Sequence, residues 1–317
     1  MKRVLVIRFS ALGDVAMLVP ILRTAAEQYP EVEFTMLSQQ RFADLFSEMP
    51  ANVRFHGVDL KKQSLHEIVS GLGSYDCVAD MHSVLRSFYI RMALRLKGAK
   101  IASIDKGRWD KRRLTQGKVH APLKHTTERY ADVFAALDLP ITDRLLTDNA
   151  PDLNRSGVGI APFAAHQGKV YPIERMERVV AMLSEQGEKV ILFGGGKKEQ
   201  VILESWAAKY PGVESIAGKK TMREELEIMR GLRVMITMDS GNMHLASLVG
   251  TRVVSIWGAT HPYAGFLGYG QRERDCIQRD LDCRPCSIYG NKPCQFGDYR
   301  CMDIAPEEIV ERVKSEK

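Results

Sequence analysis

Residues 4–28 read VLVIRFSALGDVAMLVPILRTAAEQ, and this stretch decides the fold. Residues 4–9 form a short apolar run of strand type. Ser10 to Asp14 is a turn in which Gly13 supplies backbone freedom, and residues 14–28 read as a helix. A strand that passes directly into a helix is the opening of a βαβ unit. The alternation continues outward from it. Further strands are predicted over 32–38, 53–58, 75–80 and 100–104, with helices over 41–48, 65–72, 84–96 and 127–137. Ser64 and Glu67 have the spacing of a capping box, in which each side chain satisfies a free amide at the helix start.

Residues 138–156 carry two prolines, four aspartates and little periodicity, which predicts a connection between two domains, 1–150 and 151–317. Beyond it the pattern restarts. Strands are predicted over 158–163, 189–193, 213–216, 234–238 and 252–257, and helices over 172–186, 198–209, 223–231, 242–249 and 306–317. Pro172 and Pro306 suit a first helical turn, where a missing N–H costs nothing. The expected class is therefore α/β, two Rossmann-like doubly wound parallel sheets, with ligands in a cleft at the carboxyl ends of their strands.

At 317 residues with 45% hydrophobic and 26% charged content, the chain has enough apolar material for two cores. No run approaches the ~18 apolar residues of a membrane helix. Met1-Lys2-Arg3 imitates the start of a signal peptide, but Arg8 and Asp14 break the apolar segment, so a cytoplasmic location is expected. The chain carries +6 overall, yet residues 82–129 hold thirteen Lys and Arg against three acids, so the remainder is net negative. A one-sided basic segment points to an anionic partner, although a charge run is also the ordinary make-up of a solvated face. The aromatic-basic interleaving of an RNA-binding sheet and a DNA-reading helix are both missing, which disfavours a nucleic-acid-binding protein.

Candidate chemistry sits at strand ends. Asp14 either caps its helix or acts as a general base that takes a proton from a substrate hydroxyl. Met238 to Ala246 is a strand entering a helix through Asp239-Ser240-Gly241, a turn that aims free N–H groups at one spot and suits a diphosphate. There His244 is either a ligand contact or a packed helix residue. Gly194 and Gly195, after an apolar strand, either let a nucleotide approach the backbone or form a plain turn. Five of six cysteines cluster late. Cys283, Cys286, Cys294 and Cys301 have the make-up of a structural zinc knot, with free thiols the alternative in a reducing compartment.

Taken together, Ser10 to Asp14, Lys169 before Tyr171-Pro172, Asp239-Ser240-Gly241 with His244, Gly258 to Pro262 and the cysteine-rich tail resemble glycosyltransferase family nine, the lipopolysaccharide heptosyltransferases. The motifs stand in the family's order over nearly the whole chain. The resemblance implies a GT-B fold and a metal-independent inverting transfer of heptose from an ADP-sugar donor to an anionic glycolipid acceptor at the inner membrane surface. A UDP-linked sugar is the alternative donor. It implies Asp14 as base, Lys169 as the cation meeting the leaving diphosphate, and Asp239, Ser240, Gly241 and His244 at the donor, where Gly194 and Gly195 are expected from their own place after a strand. Ser10, Gly13, Lys111, Arg112 and Arg113 are expected on the acceptor side, the last three and Trp109 meeting head groups. Two departures stand out. The family's usual tryptophan is Tyr171 here, and Ala164-Ala165-His166-Gln167 replaces hydroxyl residues upstream of Lys169.

Overall fold

The computed structural model describes residues 1–142 and 154–315. Packing divides the chain into two units, residues 1–106 with 125–146 and residues 107–124 with 147–317. The expected junction near 150 lies outside the described residues. Residues 107–124, expected in the first domain, pack with the second.

In the first unit the chain runs through β1 (Lys2–Ile7), α1 (Leu12–Gln28), β2 (Val32–Gln39), β3 (Val53–Val58), α2 (Leu65–Gly71), β4 (Cys77–Asp80), α3 (Leu85–Leu96) and β5 (Lys100–Ser103). After α4 (Arg108–Leu114), which belongs to the second unit, α5 (Thr126–Ala135) returns to the first. The sheet is parallel, in the order β3-β2-β1-β4-β5. Val4 to Ile7 are fully buried, because a central parallel strand is covered on both faces and reads as a continuous apolar run. The Ser64 capping box forms, with the Glu67 amide donating to Ser64 Oγ and the Ser64 amide to the Glu67 carboxylate. Residues 40–46 make a 3-10 helix where an α-helix was expected.

The second unit contains β6 (Val158–Ala161), α6 (Ile173–Glu185), β7 (Val190–Leu192), α7 (Lys197–Lys209), β8 (Val213–Ser215), α8 (Met222–Gly231), β9 (Val234–Met238), α9 (Gly241–Leu248), β10 (Arg252–Trp257), β11 (Cys276–Gln278) and α10 (Pro306–Lys314). Its parallel sheet has the order β11-β10-β9-β6-β7-β8. Pro306 occupies the first turn of α10, whereas Pro172 stands one position earlier, as the N-cap of α6. β11 and α4 were not anticipated, being too short for a periodic signal.

Both sheets reverse strand order once. The first unit's reversal falls between β1 and β4, where Ile7 is level with Asp80, and the second's between β6 and β9, where Ala161 is level with Thr237. In open α/β sheets the crevice beyond the carboxyl ends at this reversal is the ligand site.

Candidate functional site

Each reversal holds a charged pair. In the first unit Asp14 is the third residue of α1, and its Oδ2 accepts from the Ala11 amide at 3.2 Å and lies 2.5 Å from the Arg8 guanidinium. Arg8 is buried and also donates to the Met81 carbonyl at 2.6 Å. Burial opposes its charge, but Tyr130, Asp14 and Asp80 together drive its pKa upward. The Tyr130 hydroxyl donates to the Asp14 carbonyl at 3.1 Å, fixing the helix start against α5. Asp80 at the end of β4 is fully buried and accepts from the amides of His82 and Ser83 and from Ser87 Oγ, with Arg91 3.2 Å away. His82 is pushed down to about 4 by burial and by the nearby Arg8 and Lys106 charges. As a neutral ring it accepts from the Phe9 amide at Nδ1, which leaves Nε2–H to face Ser10 Oγ at 3.4 Å. Asp14 thus both serves the helix start and belongs to a charged cluster. Arg8 and Asp80 escaped the sequence reading, although a charge inside a buried strand-end run signals a partner.

In the second unit Lys169 ends a 3-10 turn after β6, and its Nζ lies 2.8 Å from Asp239 Oδ2 at the end of β9. The side chains are 15% and 5% exposed. The contact is ionic, since Asp239 Oδ2 has no donor aligned for a hydrogen bond. Next to it, Ser240 is the N-cap of α9 without a side-chain cap bond, its hydroxyl instead lying 3.1 Å from Thr237 Oγ1. Gly241 opens the helix and His244 is buried one turn on. A half-buried cation, a buried carboxylate and a helix start meet at one strand end, which suits a ligand with both hydroxyls and a diphosphate.

The Lys169 turn is held by backbone packing. The Ala259 amide donates to the Gly168 carbonyl at 2.8 Å, and a Cβ on Gly168 would stand 2.8 Å from the Gly290 carbonyl. A Cβ on Gly290 would stand 2.6 Å from Lys169 Cγ. The Gly258 to Pro262 segment and the cysteine-rich tail therefore support Lys169 directly. Tyr171 is fully buried, and its hydroxyl donates to the Ile304 carbonyl at 2.7 Å, a bond that the family's usual tryptophan would make differently. Gly194 and Gly195 follow β7 at the same end of the sheet. The Gly195 amide donates to Glu199 in the first turn of α7 at 2.7 Å, a carboxylate the sequence reading passed over.

Other expectations come apart. Lys111 is only 7% exposed, its ammonium 4.1 Å from the Phe266 ring centre, and the guanidinium of half-buried Arg113 lies over Trp109. Only Arg112 of the three is well exposed, so the run is not one solvated basic face. Among the described residues no group of three His, Cys, Asp or Glu side chains is placed to hold a metal ion, and the four tail cysteines are free thiols that lie within one another's electrostatic reach. Cys301 packs into the core, where burial pushes its thiol pKa up, while Cys294 accepts from the amides of Phe296 and Tyr299, which lowers its own. No described helix is long and apolar enough to cross a membrane.

A family model for glycosyltransferase family 9 (heptosyltransferase) matches residues 71–296. The chain is 26% identical over 318 residues to lipooligosaccharide heptosyltransferase 2 of Campylobacter jejuni subsp. jejuni serotype O:2, covering 96% of this chain and 95% of that one. It is 26% identical over 347 residues to lipopolysaccharide heptosyltransferase 1 of Pseudomonas aeruginosa, covering 96% and 92%. The solved structure of E. coli heptosyltransferase WaaC with ADP-2-deoxy-2-fluoro heptose aligns over 100% of both chains with a TM-score of 0.72 at 19% identity, a likeness of GT-B fold.

Proposed function

Because the chain belongs to glycosyltransferase family 9, we propose that it transfers a heptose from ADP-heptose to a hydroxyl of a lipopolysaccharide-core acceptor, with inversion at the anomeric carbon. The observation that carries this reading is the pair of half-buried Lys169 and buried Asp239 beside the open N-terminus of α9, at the strand-order reversal of the second unit. The names of the relatives, heptosyltransferases of lipooligosaccharide and lipopolysaccharide, and the ADP-sugar analogue held by WaaC support the choice of donor and acceptor.

In this reading Asp14 takes the proton of the acceptor hydroxyl, whose oxygen attacks the anomeric carbon in a single displacement. Arg8 and the Ala11 amide both engage Oδ2, so we assign the proton to Oδ1. The bond from the anomeric carbon to the diphosphate breaks, and the charge left on ADP is met by Lys169 and the first amides of α9. These groups supply the positive charge the departing diphosphate requires, and we place no metal in the step. Asp239 is then freed to accept hydrogen bonds from sugar hydroxyls. The acceptor is an anionic glycolipid, and the enzyme works peripherally at the cytoplasmic face of the inner membrane.

A thermal-shift panel with ADP, UDP, GDP and NADH at matched concentrations tests the donor class. A ligand at 100 times its dissociation constant stabilises by about 2.7 kcal/mol. ADP alone is expected to raise Tm, and Asp14→Asn is expected to keep that shift while transfer from ADP-heptose falls by roughly 10²–10⁴-fold. Selective stabilisation by UDP would withdraw the donor, and a fully active Asp14→Asn the base.

A further inference from the structure

The outer face of α3 is apolar and uncovered. Leu85 and Leu96 are 87% and 88% exposed, and Phe88 and Tyr89 lie near half exposed, with half-buried Met92 between them and Leu96. Positions 85, 88, 89, 92 and 96 follow the helical spacing of three and four, so these side chains form one stripe along a helix about 18 Å long. The opposite face, Ser87, Ile90 and Leu94, is buried, so α3 already spends its core-facing side. Single exposed apolar residues are ordinary, but a stripe along a whole helix marks an interaction surface.

The rim says which kind. Arg86, Arg95 and Lys97 are exposed along the same helix and its C-cap, while Arg91 is drawn to Asp80. No acidic residue lies between Asp80 and Asp105. A second copy docked by a two-fold axis would set these cations against their own copies with no acid in the stripe to offset them. An apolar helix face whose own helix carries cations and no acid is what lies flat in the boundary of a bilayer bearing negative head groups.

We propose that α3 docks this protein on an anionic lipid surface, with Leu85, Phe88, Tyr89 and Leu96 entering the acyl boundary and Arg86, Arg95 and Lys97 at head-group level. The inference deepens the proposed function and rests on it only for what is delivered there. α3 begins three residues after His82, whose ring faces Ser10, so docking holds the Asp14 end of the first sheet at the level where a lipid-anchored acceptor presents its sugars.

Co-sedimentation with vesicles of phosphatidylethanolamine and phosphatidylglycerol, against phosphatidylcholine vesicles, tests it. Wild type is expected to bind the anionic vesicles, more weakly as salt rises, and to leave phosphatidylcholine in solution. The combined Leu85→Gln, Phe88→Gln and Leu96→Gln variant is expected to lose at least about tenfold in vesicle affinity with an unchanged Tm. Arg86→Gln with Arg95→Gln is expected to lose about fivefold per charge at low salt, and decides the matter alone if the first variant melts early. Equal binding by variant and wild type, or no binding by wild type, overturns the proposal. So does a wild-type dimer in solution that the apolar substitutions dissociate, or vesicle binding that requires an added protein. Transfer to a deacylated, soluble core saccharide separates the two readings: transfer without vesicle binding sinks only the docking surface, and vesicle binding without transfer sinks only the heptosyltransferase assignment.

Discussion

Asp239 is buried and Lys169 half-buried against it, so neither can be changed without consequence for the other. Removing the lysine leaves the buried Asp239 carboxylate without compensation, and for a fully buried pair such a loss costs about 3–5 kcal/mol, an upper bound here. Lys169→Ala is therefore expected to lower Tm as well as ADP affinity and turnover. Adding Asp239→Asn is expected to restore much of the Tm and none of the donor binding, which calorimetry and an ADP titration would report separately. Wild-type turnover in Lys169→Ala would remove the lysine from the mechanism. Lys169 was legible in sequence from its place before Tyr171-Pro172. Its pairing with Asp239, seventy positions away, was not, because that depends on β6 lying next to β9.

At the scale of elements, the Lys169 turn is shaped by three glycine backbones drawn from different segments, Gly168, Gly258 and Gly290. Gly290 has a φ of +71°, and the Cβ of any other residue would press on the lysine side chain. Gly290→Ala is expected to cost about 1–3 kcal/mol of stability through overpacking and strain. It should also weaken ADP binding several-fold by displacing Lys169, although residue 290 belongs to the tail. Isothermal titration against Gly297→Ala, where φ is also positive but the added Cβ meets nothing, separates displacement from strain. Short elements were the least legible. α4 runs for seven residues, one of them Lys111, and it is Phe266 that draws this lysine out of the basic run.

For the molecule as a whole, two buried histidines make the fold sensitive to acid. His82 in one unit and His261 in the other are both held near 4 by burial, against an ordinary value of 6.5. Between those values the unfolded chain binds protons that the native protein refuses, so stability present in full above about pH 6.5 falls as pH drops toward 4. Glu225, raised to about 7 by burial, works the other way and loses stability as pH rises from about 4.5 to 7. Two histidines outweigh one carboxyl, so the net slope remains positive below pH 6.5. Urea denaturation at pH 7.5 and pH 5 is expected to show the loss, and replacing both histidines by Gln to remove it and leave Glu225's opposite slope. An unaltered difference would show that other groups carry the acid sensitivity.

Local chemistry in the chain determined a good deal. Alternating apolar runs and helix periodicity gave two doubly wound α/β units, and the order of the motifs gave the family, with Asp14, Lys169 and Asp239 among its charged groups. Such signals survive in one dimension because a strand, a cap or a turn is specified by residues within a few positions of one another. The company those groups keep was settled elsewhere. Arg8 meets Asp14 within Asp80's field, Gly290 bears on Lys169, and Lys111 is sequestered. Most of these outcomes depend on strand order and on packing between distant segments. α3 shows the limit most clearly: its periodicity announces a helix with an apolar stripe, but only the packed sheet decides which stripe is buried and which is left facing outward.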